Sequence, residues 1–136
     1  MKQPVLEAKC TYKGYPYVVL FMPGAYRCGY IGVPYSHKLA KKSVDDLGWL
    51  NCHGGVTYAE SHLYNCDDED TWWIGFDCAH CFDGYDIATA IQYFEGDPDF
   101  KRIYQIMGDF WRESNKDSET EIRSLAYVKY ECKKTH

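Results

Sequence analysis

Histidines and cysteines are concentrated in two short segments in the middle of the chain, residues 52–55 and 77–81. Thiolates and imidazoles are the ligands that Zn²⁺ prefers, and the second segment contains a C-x-x-C pair, Cys78 and Cys81. Structural zinc sites are usually built from two such pairs, and this chain has one. We therefore predict no zinc site and no cofactor, although another divalent ion could use some of these groups. A zinc site would draw on Cys52, His53, Cys78, His80 and Cys81.

Two glycines follow the first histidine, in the order His53-Gly54-Gly55. Glycine adopts backbone conformations that other residues rarely reach, so such a loop can present consecutive backbone N–H groups to an anion or an oxyanion. The alternative is a plain turn at the end of a strand, in which His53 only forms a hydrogen bond. The Gly-Gly pair is compatible with both interpretations.

Residues 72–80 read as a buried strand that ends in polar groups. On a strand, Trp73, Gly75 and Asp77 would share one face, because side chains alternate. This face predicts an indole and a carboxylate on one surface, with a ligand ring stacked on Trp73. The opposite face is expected to be core. It comprises Trp72, Ile74, Phe76 and Cys78.

Acidic residues and a histidine recur at intervals of three, as Asp77, His80, Asp83 and Asp86. Such groups can transfer protons or bind a divalent ion. An Asp–His pair at this spacing can equally form a hydrogen bond that caps a helix, so both interpretations stay open.

Arg27 is a cation inside an apolar, glycine-containing segment. Its guanidinium is predicted either to anchor an anionic ligand or to pair with one of the carboxylates named above. No Gly-rich phosphate loop, nucleophile elbow or H-E-x-x-H motif accompanies it in the sequence.

Hydrophobic periodicity and turn signals predict the elements that position these residues. Runs rich in Val, Tyr and Ile, bounded by Gly or Pro, indicate strands. The predicted strands are residues 5–12, 15–22, 26–33, 49–58 and 71–78. The segments 36–47 and 60–70 are polar and are expected to be surface loops, the first with one helical turn.

Helical spacing of apolar residues begins after residue 83. Asp86 is placed to cap a first helix, Asp97-Pro98 indicates a second, and a capping box at residues 118–121 indicates a third. Residues 112–117 are the one candidate linker. We predict a single α+β domain over residues 1–136, with an antiparallel sheet of about five strands in 1–83 packed against two or three helices in 84–136.

Composition excludes several classes of partner. The formal net charge is −5, and no basic stripe suits a nucleic-acid backbone or an anionic membrane surface. The start of the chain has no apolar signal segment, so we expect a reducing cytoplasm and free thiols for the seven cysteines. Aromatic residues make up 17%, which suits a core, a ligand pocket or the interface of a homodimer.

Three segments resemble successive motifs of a family of small uncharacterised proteins common in bacteriophages, prophages and bacteria. They are CGYIGVP at 28–34, HGGVTY at 53–58 and WWIGFDCAH at 72–80, followed by Asp83. The resemblance covers roughly residues 10–86, and the end of the chain, with Tyr127-Val128 and Glu131-Cys132, also resembles the family.

The family pattern continues from Cys-Ala-His through small residues to Asp, whereas this chain has Cys81 and Phe82 in place of the small residues. A shared site is thus implied to exclude Cys81. The resemblance points to His53, Thr57, Asp77, His80 and Asp83 as the residues of interest. It also implies a class of role, because small phage proteins often counter host defence by sequestering or degrading nucleotide signals in the bacterial cytoplasm.

The first functional hypothesis is a protein that binds a small polar, nucleotide-like ligand without converting it. Trp73 and Tyr58 would stack on the ligand ring, Arg27 would meet its anionic part, and Asp77 and Asp83 would accept hydrogen bonds from it. The residues assigned to this pocket are Arg27, His53, Gly54, Gly55, Thr57, Tyr58, Trp73, Asp77, His80 and Asp83.

Two alternatives come from other classes of protein. In a hydrolase, Asp77 would orient His80 or His53 as a general base, with or without a divalent ion. In an inhibitor that works by protein–protein contact, exposed tyrosines and tryptophans would form the hot spots.

Overall fold

The computed structural model describes residues 3–135. Its strands are β1 (Val5–Tyr12), β2 (Tyr15–Met22), β3 (Tyr26–Pro34), β4 (Tyr58–Glu60) and β5 (Thr71–Asp77). They form one antiparallel sheet in the order β1-β2-β3-β5-β4. The helices are α1 (Ile87–Phe94), α2 (Pro98–Asn115) and α3 (Leu125–Lys134). The predicted α+β class is confirmed.

A tight two-residue turn joins β1 to β2. Lys13 and Gly14 both have positive φ, at 52° and 85°, and Tyr12 pairs with Tyr15 across the turn. Turns with positive φ at both central residues match the right-handed twist of paired strands, so they set the register of a hairpin. The predicted limits of these two strands are confirmed.

A β-bulge in β1 directs the carboxylate of Glu7 toward Arg27. The register shifts between Leu6 and Ala8, which leaves Glu7 as the extra residue. A bulge redirects the side chain of its extra residue. The carboxylate of Glu7 accepts hydrogen bonds from the guanidinium of Arg27 on β3, at 2.6 Å from Nε and 3.3 Å from Nη2.

Both faces of the sheet are covered, which explains why β2 is apolar at consecutive positions. Helix α3 and the segment that contains Leu39, Leu47 and Val56 cover one face. Leu63 and Cys66, from the loop between β4 and β5, cover the other. The sheet residues on the α3 side are Tyr17, Val19, Ile31, Val33, Ile74 and Phe76.

Helices α1 and α2 pack around Phe21 at the end of β2. Asp86 caps α1 by accepting the N–H of Thr89, and Asp97 caps α2 by accepting the N–H of Phe100, as the sequence predicts. Within residues 3–135, none of the helices combines the length and the apolar character that crossing a bilayer requires.

Three predicted boundaries are wrong. The strand predicted over 49–58 is restricted to β4, because residues 49–55 turn back on themselves: Leu50 N–H donates to Leu47 and Gly55 N–H donates to Cys52. The linker predicted at 112–117 is largely the last turn of α2, which runs on to Asn115.

The third helix begins later than its predicted capping box at 118–121. Its cap is Ser124, whose hydroxyl accepts the N–H of Tyr127. Glu121 instead forms backbone hydrogen bonds with Phe82 and Gly84, and this pairing holds the chain extended where a helix was expected.

Candidate functional site

Three segments converge at the end of β5 and the start of α3. The turn at 52–55 brings His53, the loop after β5 brings His80 and Asp83, and the extended stretch before α3 brings Arg123. The backbone pairing of Glu121 with residues 82 and 84 fixes the last segment against the second. Groups far apart in sequence therefore meet at one carboxylate.

Asp83 is the centre of this cluster, and its side chain is 1% exposed. Its Oδ1 accepts hydrogen bonds from Nε2 of His53 at 2.8 Å and from Nε of Arg123 at 2.8 Å. Its Oδ2 accepts the backbone N–H of His80 and is 3.0 Å from Nδ1 of the same residue. A carboxylate with this many donors is strongly held in place.

Burial by itself would raise the pKa of Asp83, but the hydrogen bonds from His53, Arg123 and His80 outweigh it and lower the pKa below the ordinary value of 3.8. Asp83 is therefore ionised near neutral pH. An ionised carboxylate only accepts hydrogen bonds, so every nitrogen that contacts it must carry a proton.

This requirement assigns the tautomers of both histidines. His53 carries its proton on Nε2, and its Nδ1 accepts the hydroxyl of Tyr127 at 2.7 Å. His80 carries its proton on Nδ1. Among the ring nitrogens of His53 and His80, Nε2 of His80 is the one that forms no hydrogen bond to Asp83 or Tyr127. The side chain of His80 is 35% exposed, so Nε2 can exchange a proton with a bound molecule.

Asp77 lies on the outer side of His80. Its Oδ1 is 3.7 Å from Nε2 of His80 and accepts the N–H of Ala79 at 3.1 Å. The sequence suggested Asp77 as the carboxylate that orients a histidine, whereas in the structure Asp83 does so. Asp77 is placed instead to attract positive charge or a donor group beside Nε2.

His53, His80 and Asp83 also offer one ligand atom each within 4.8 Å of one another. They are the set of side chains within residues 3–135 that could hold a metal ion, and two imidazoles with one carboxylate suit a divalent transition metal. No cysteine belongs to the set. Cys78 is buried, which raises the pKa of its thiol, and Cys81 is exposed at the surface.

Two structures were predicted for the glycine loop, an anion-binding loop and a turn. The loop forms a turn. Gly54 and Gly55 have φ of 69° and 86°, and Gly55 uses its N–H in the bond to Cys52. That amide is therefore not available to an anion. Thr57 is exposed, and its backbone N–H donates to Gly75.

Trp73 and Tyr58 pack against other side chains of the protein. Trp73 is 0% exposed, because the loop with Leu63 and Cys66 covers its face of the sheet. The space that Gly75 leaves is filled by the ring of Tyr30, against which Tyr58 packs edge to face at 5.3 Å. The predicted alternation of side chains is present, but the stacking role assigned to Trp73 does not fit its burial.

Arg27 is 5% exposed and lies in a buried ionic network. Besides Glu7, its Nη1 contacts Asp86 at 2.9 Å and the carbonyl of Arg123 at 3.1 Å. Of the two roles predicted for Arg27, the structure shows pairing with a carboxylate. Arg27 supports the site indirectly. It donates a hydrogen bond to the backbone carbonyl of Arg123, and the guanidinium of Arg123 binds Asp83.

Sequence reasoning missed Arg123 and Tyr127 as parts of the site. His53 and Tyr127 are 74 residues apart in sequence, and no local motif connects them. The one available signal was the resemblance noted around Tyr127.

The chain was compared with protein-family models, with characterised proteins and with solved structures, and none of the three comparisons finds a match.

Proposed function

We propose that this protein is a hydrolase of a small polar, nucleotide-like substrate, and that His80 is the general base that activates water. One observation carries the proposal. The ionised, buried carboxylate of Asp83 holds Nδ1–H of His80, whose side chain is 35% exposed, and leaves Nε2 without a hydrogen bond to that carboxylate. An imidazole oriented in this way by a buried carboxylate is the arrangement that accepts a proton in many hydrolases.

The surroundings of His80 support the same role. When Nε2 takes up a proton, the imidazolium lies between the carboxylates of Asp83 and Asp77, at 3.0 Å and 3.7 Å. Two carboxylates stabilise the positive charge that develops during proton transfer. His53 and Arg123 also donate hydrogen bonds to Asp83, so that carboxylate stays ionised while His80 changes its charge.

The first hypothesis from the sequence was binding without conversion. Two of the residues that it assigned to the ligand contact other parts of the protein instead. Trp73, assigned to the ligand ring, is buried, and Arg27, assigned to the ligand anion, is paired with Glu7 and Asp86. In the cluster around Asp83, by contrast, the side chain of His80 is 35% exposed. Its chemistry favours proton transfer over simple capture.

A nucleotide-like substrate is proposed because three segments resemble proteins that are common in phages. A phage protein that degrades a nucleotide signal of host defence would need a site for attack by water on a small molecule. A divalent ion held by His53, His80 and Asp83 is a variant of the proposal, in which the metal would supply the activated water.

The test is to incubate the purified protein with a panel of nucleotides that includes cyclic dinucleotides and cyclic ADP-ribose isomers, and to identify all products by mass spectrometry. We expect one compound to be converted by the wild type and not by His80→Ala. His62→Ala is the matched control, because His62 is an exposed histidine away from this cluster. Thermal unfolding of each variant verifies that it is folded.

Three other outcomes are informative. Recovery of a compound intact from the protein would replace hydrolysis by sequestration. Loss of activity in EDTA, with recovery on adding a divalent ion, would assign a metal to the three ligand groups. Conversion that His80→Ala leaves unchanged would refute the assigned base.

A further inference from the structure

A cleft lies away from the Asp83 cluster, on the side of the sheet that faces the end of α3. It has a volume of about 380 Å³, within the range of roughly 300–1,000 Å³ that small-ligand pockets occupy. Its floor is apolar and includes Ile31 and Val33 from β3 with Leu39 and Leu50 from the following segment. Thr135, just beyond α3, also lines the cleft.

Aromatic rings form the walls of this cleft. Trp49 is 67% exposed, although the other three tryptophans of the chain are half-buried or buried. Tyr15 and His37 stand edge to face with ring centroids 5.3 Å apart. A large exposed indole above an apolar floor offers a surface on which a planar ring can stack.

Positive charge surrounds the same rings. Lys13 and Lys38 line the cleft, and Lys38, Lys42 and Trp49 line an adjoining cleft of about 430 Å³ together with Asp46. No ion pair within residues 3–135 involves Lys13, Lys38 or Lys42. In a chain with a net charge of −5, Lys13, Lys38 and Lys42 are a local excess of positive charge, because Asp46 is the one acidic residue that lines either cleft.

His37 adds a directed donor. Its Nδ1 accepts the backbone N–H of Leu39 at 3.1 Å, so the neutral ring carries its proton on Nε2. That N–H is a donor, as the lysines are. The polar groups at the rim therefore match a ligand that has more acceptors than donors.

We propose that this cleft binds a small aromatic anion, with the chemistry of a nucleoside monophosphate: a planar base stacked on Trp49 and a phosphate held by Lys38 and Lys13. The apolar floor accommodates the edge of the base, and His37 donates a hydrogen bond to it or to the sugar. The cleft is independent of the proposed hydrolysis. It is a binding site whether or not His80 transfers a proton.

The experiment is calorimetric titration of the full chain with adenosine monophosphate, alongside adenosine and inorganic phosphate separately. We expect the whole nucleotide to bind more tightly than either part. Trp49→Ala should weaken binding by about fivefold to a hundredfold, because base stacking on an aromatic ring has that magnitude. Lys38→Gln should also weaken binding, and the loss should shrink as salt is raised.

Lys101→Gln is the matched control, because it removes the same charge from an exposed lysine on α2. It should leave the affinity unchanged. Trp49 and Lys38 are exposed, so their replacement is not expected to unfold the protein, and unfolding temperatures verify this. Protection of Trp49 fluorescence from acrylamide quenching on adding the nucleotide gives an independent readout.

Absence of binding at millimolar concentrations of adenosine, guanosine, cytidine and uridine monophosphates would overturn the proposal. So would binding that Trp49→Ala leaves unchanged. Binding that His80→Ala abolishes and Trp49→Ala does not would move the ligand to the Asp83 cluster. Failure of the hydrolysis test, by contrast, has no bearing on the result at this cleft.

Discussion

Gly54 lies directly against the imidazole of His80: a Cβ built on Gly54 would stand 2.1 Å from Cε1 of that ring. The absence of a side chain at residue 54 is therefore what allows His80 to reach Asp83. The glycine also has a φ of 69°, which other residues rarely adopt. The glycine loop contributes to the site by making room.

Gly54→Ala should separate these two effects when it is compared with Gly55→Ala. Gly55 has a φ of 86° and open space where a Cβ would go. Both variants should lose about 1–2 kcal/mol in the free energy of unfolding, because alanine disfavours positive φ. We expect only Gly54→Ala to displace His80, and hence to shift its ring signals in NMR spectra and to abolish conversion of the substrate. Equal effects of the two variants on the ring would contradict the contact.

Asp83→Asn should be far more damaging than Asp77→Asn, although the substitution is the same. Asp83 is buried and binds two histidines and an arginine, so the loss of its charge should cost about 3 kcal/mol in the free energy of unfolding. The side chain of Asp77 is 29% exposed, and an amide oxygen at that position can still accept the N–H of Ala79. Chemical denaturation measures both. Similar losses would mean that Asp83 is not the centre of the cluster.

Arg27→Met should destabilise the fold without acting directly on a ligand. It would leave the carboxylate of Glu7, which is 3% exposed, without its cationic partner and with the hydroxyl of Tyr93 as its remaining donor. Breaking a buried ion pair in this way costs about 3–5 kcal/mol. Arg102→Met removes an exposed arginine from α2 and should change stability little. If Arg27→Met unfolds at the wild-type denaturant concentration, the ionic network does not hold the sheet to α1.

Asp86 should make the protein sensitive to acid. Burial alone would raise its pKa, but hydrogen bonds from Thr89 on α1 and Arg27 on β3 lower it below 3.8, and Glu7 on β1 contacts the same arginine. A carboxyl whose pKa is lower when folded stabilises the protein above its unfolded pKa. That stabilisation is lost as the pH falls through about 3.8 toward the folded value.

Thermal unfolding of Asp86→Asn between pH 7 and pH 2 tests this. The variant should be less stable than wild type at pH 7, and its unfolding temperature should fall less on acidification. Asp67→Asn, at an exposed position, should follow the wild-type curve. Parallel curves for Asp86→Asn and wild type would show that another carboxyl governs acid unfolding.

Local signals predicted those parts of the fold that depend on a few neighbouring residues. The hairpin around Lys13-Gly14 and the caps at Asp86 and Asp97 are of this kind. The start of α3 was misplaced because the pairing of Glu121 with residues near Phe82 is a contact between distant segments. A capping box cannot reveal such competition.

The same division applies to the candidate site. His53, His80 and Asp83 were predicted because chemically useful residues stood close together in two short segments. Arg123 and Tyr127 come from a part of the chain that meets those segments only in the folded state. Trp73 was assigned to a ligand because alternation predicts a face but not what covers it. The loop that carries Leu63 covers that face.

The exposure of Cys81 makes the molecule simple to label. Burial raises the pKa of the thiols of Cys28 and Cys132 to about 12 and that of Cys52 to about 11, so these groups stay protonated and react slowly. Cys81 is at the surface and adjoins His80 in the chain. A maleimide dye at Cys81 is therefore a reporter one residue from the proposed base, attached without engineering a new cysteine.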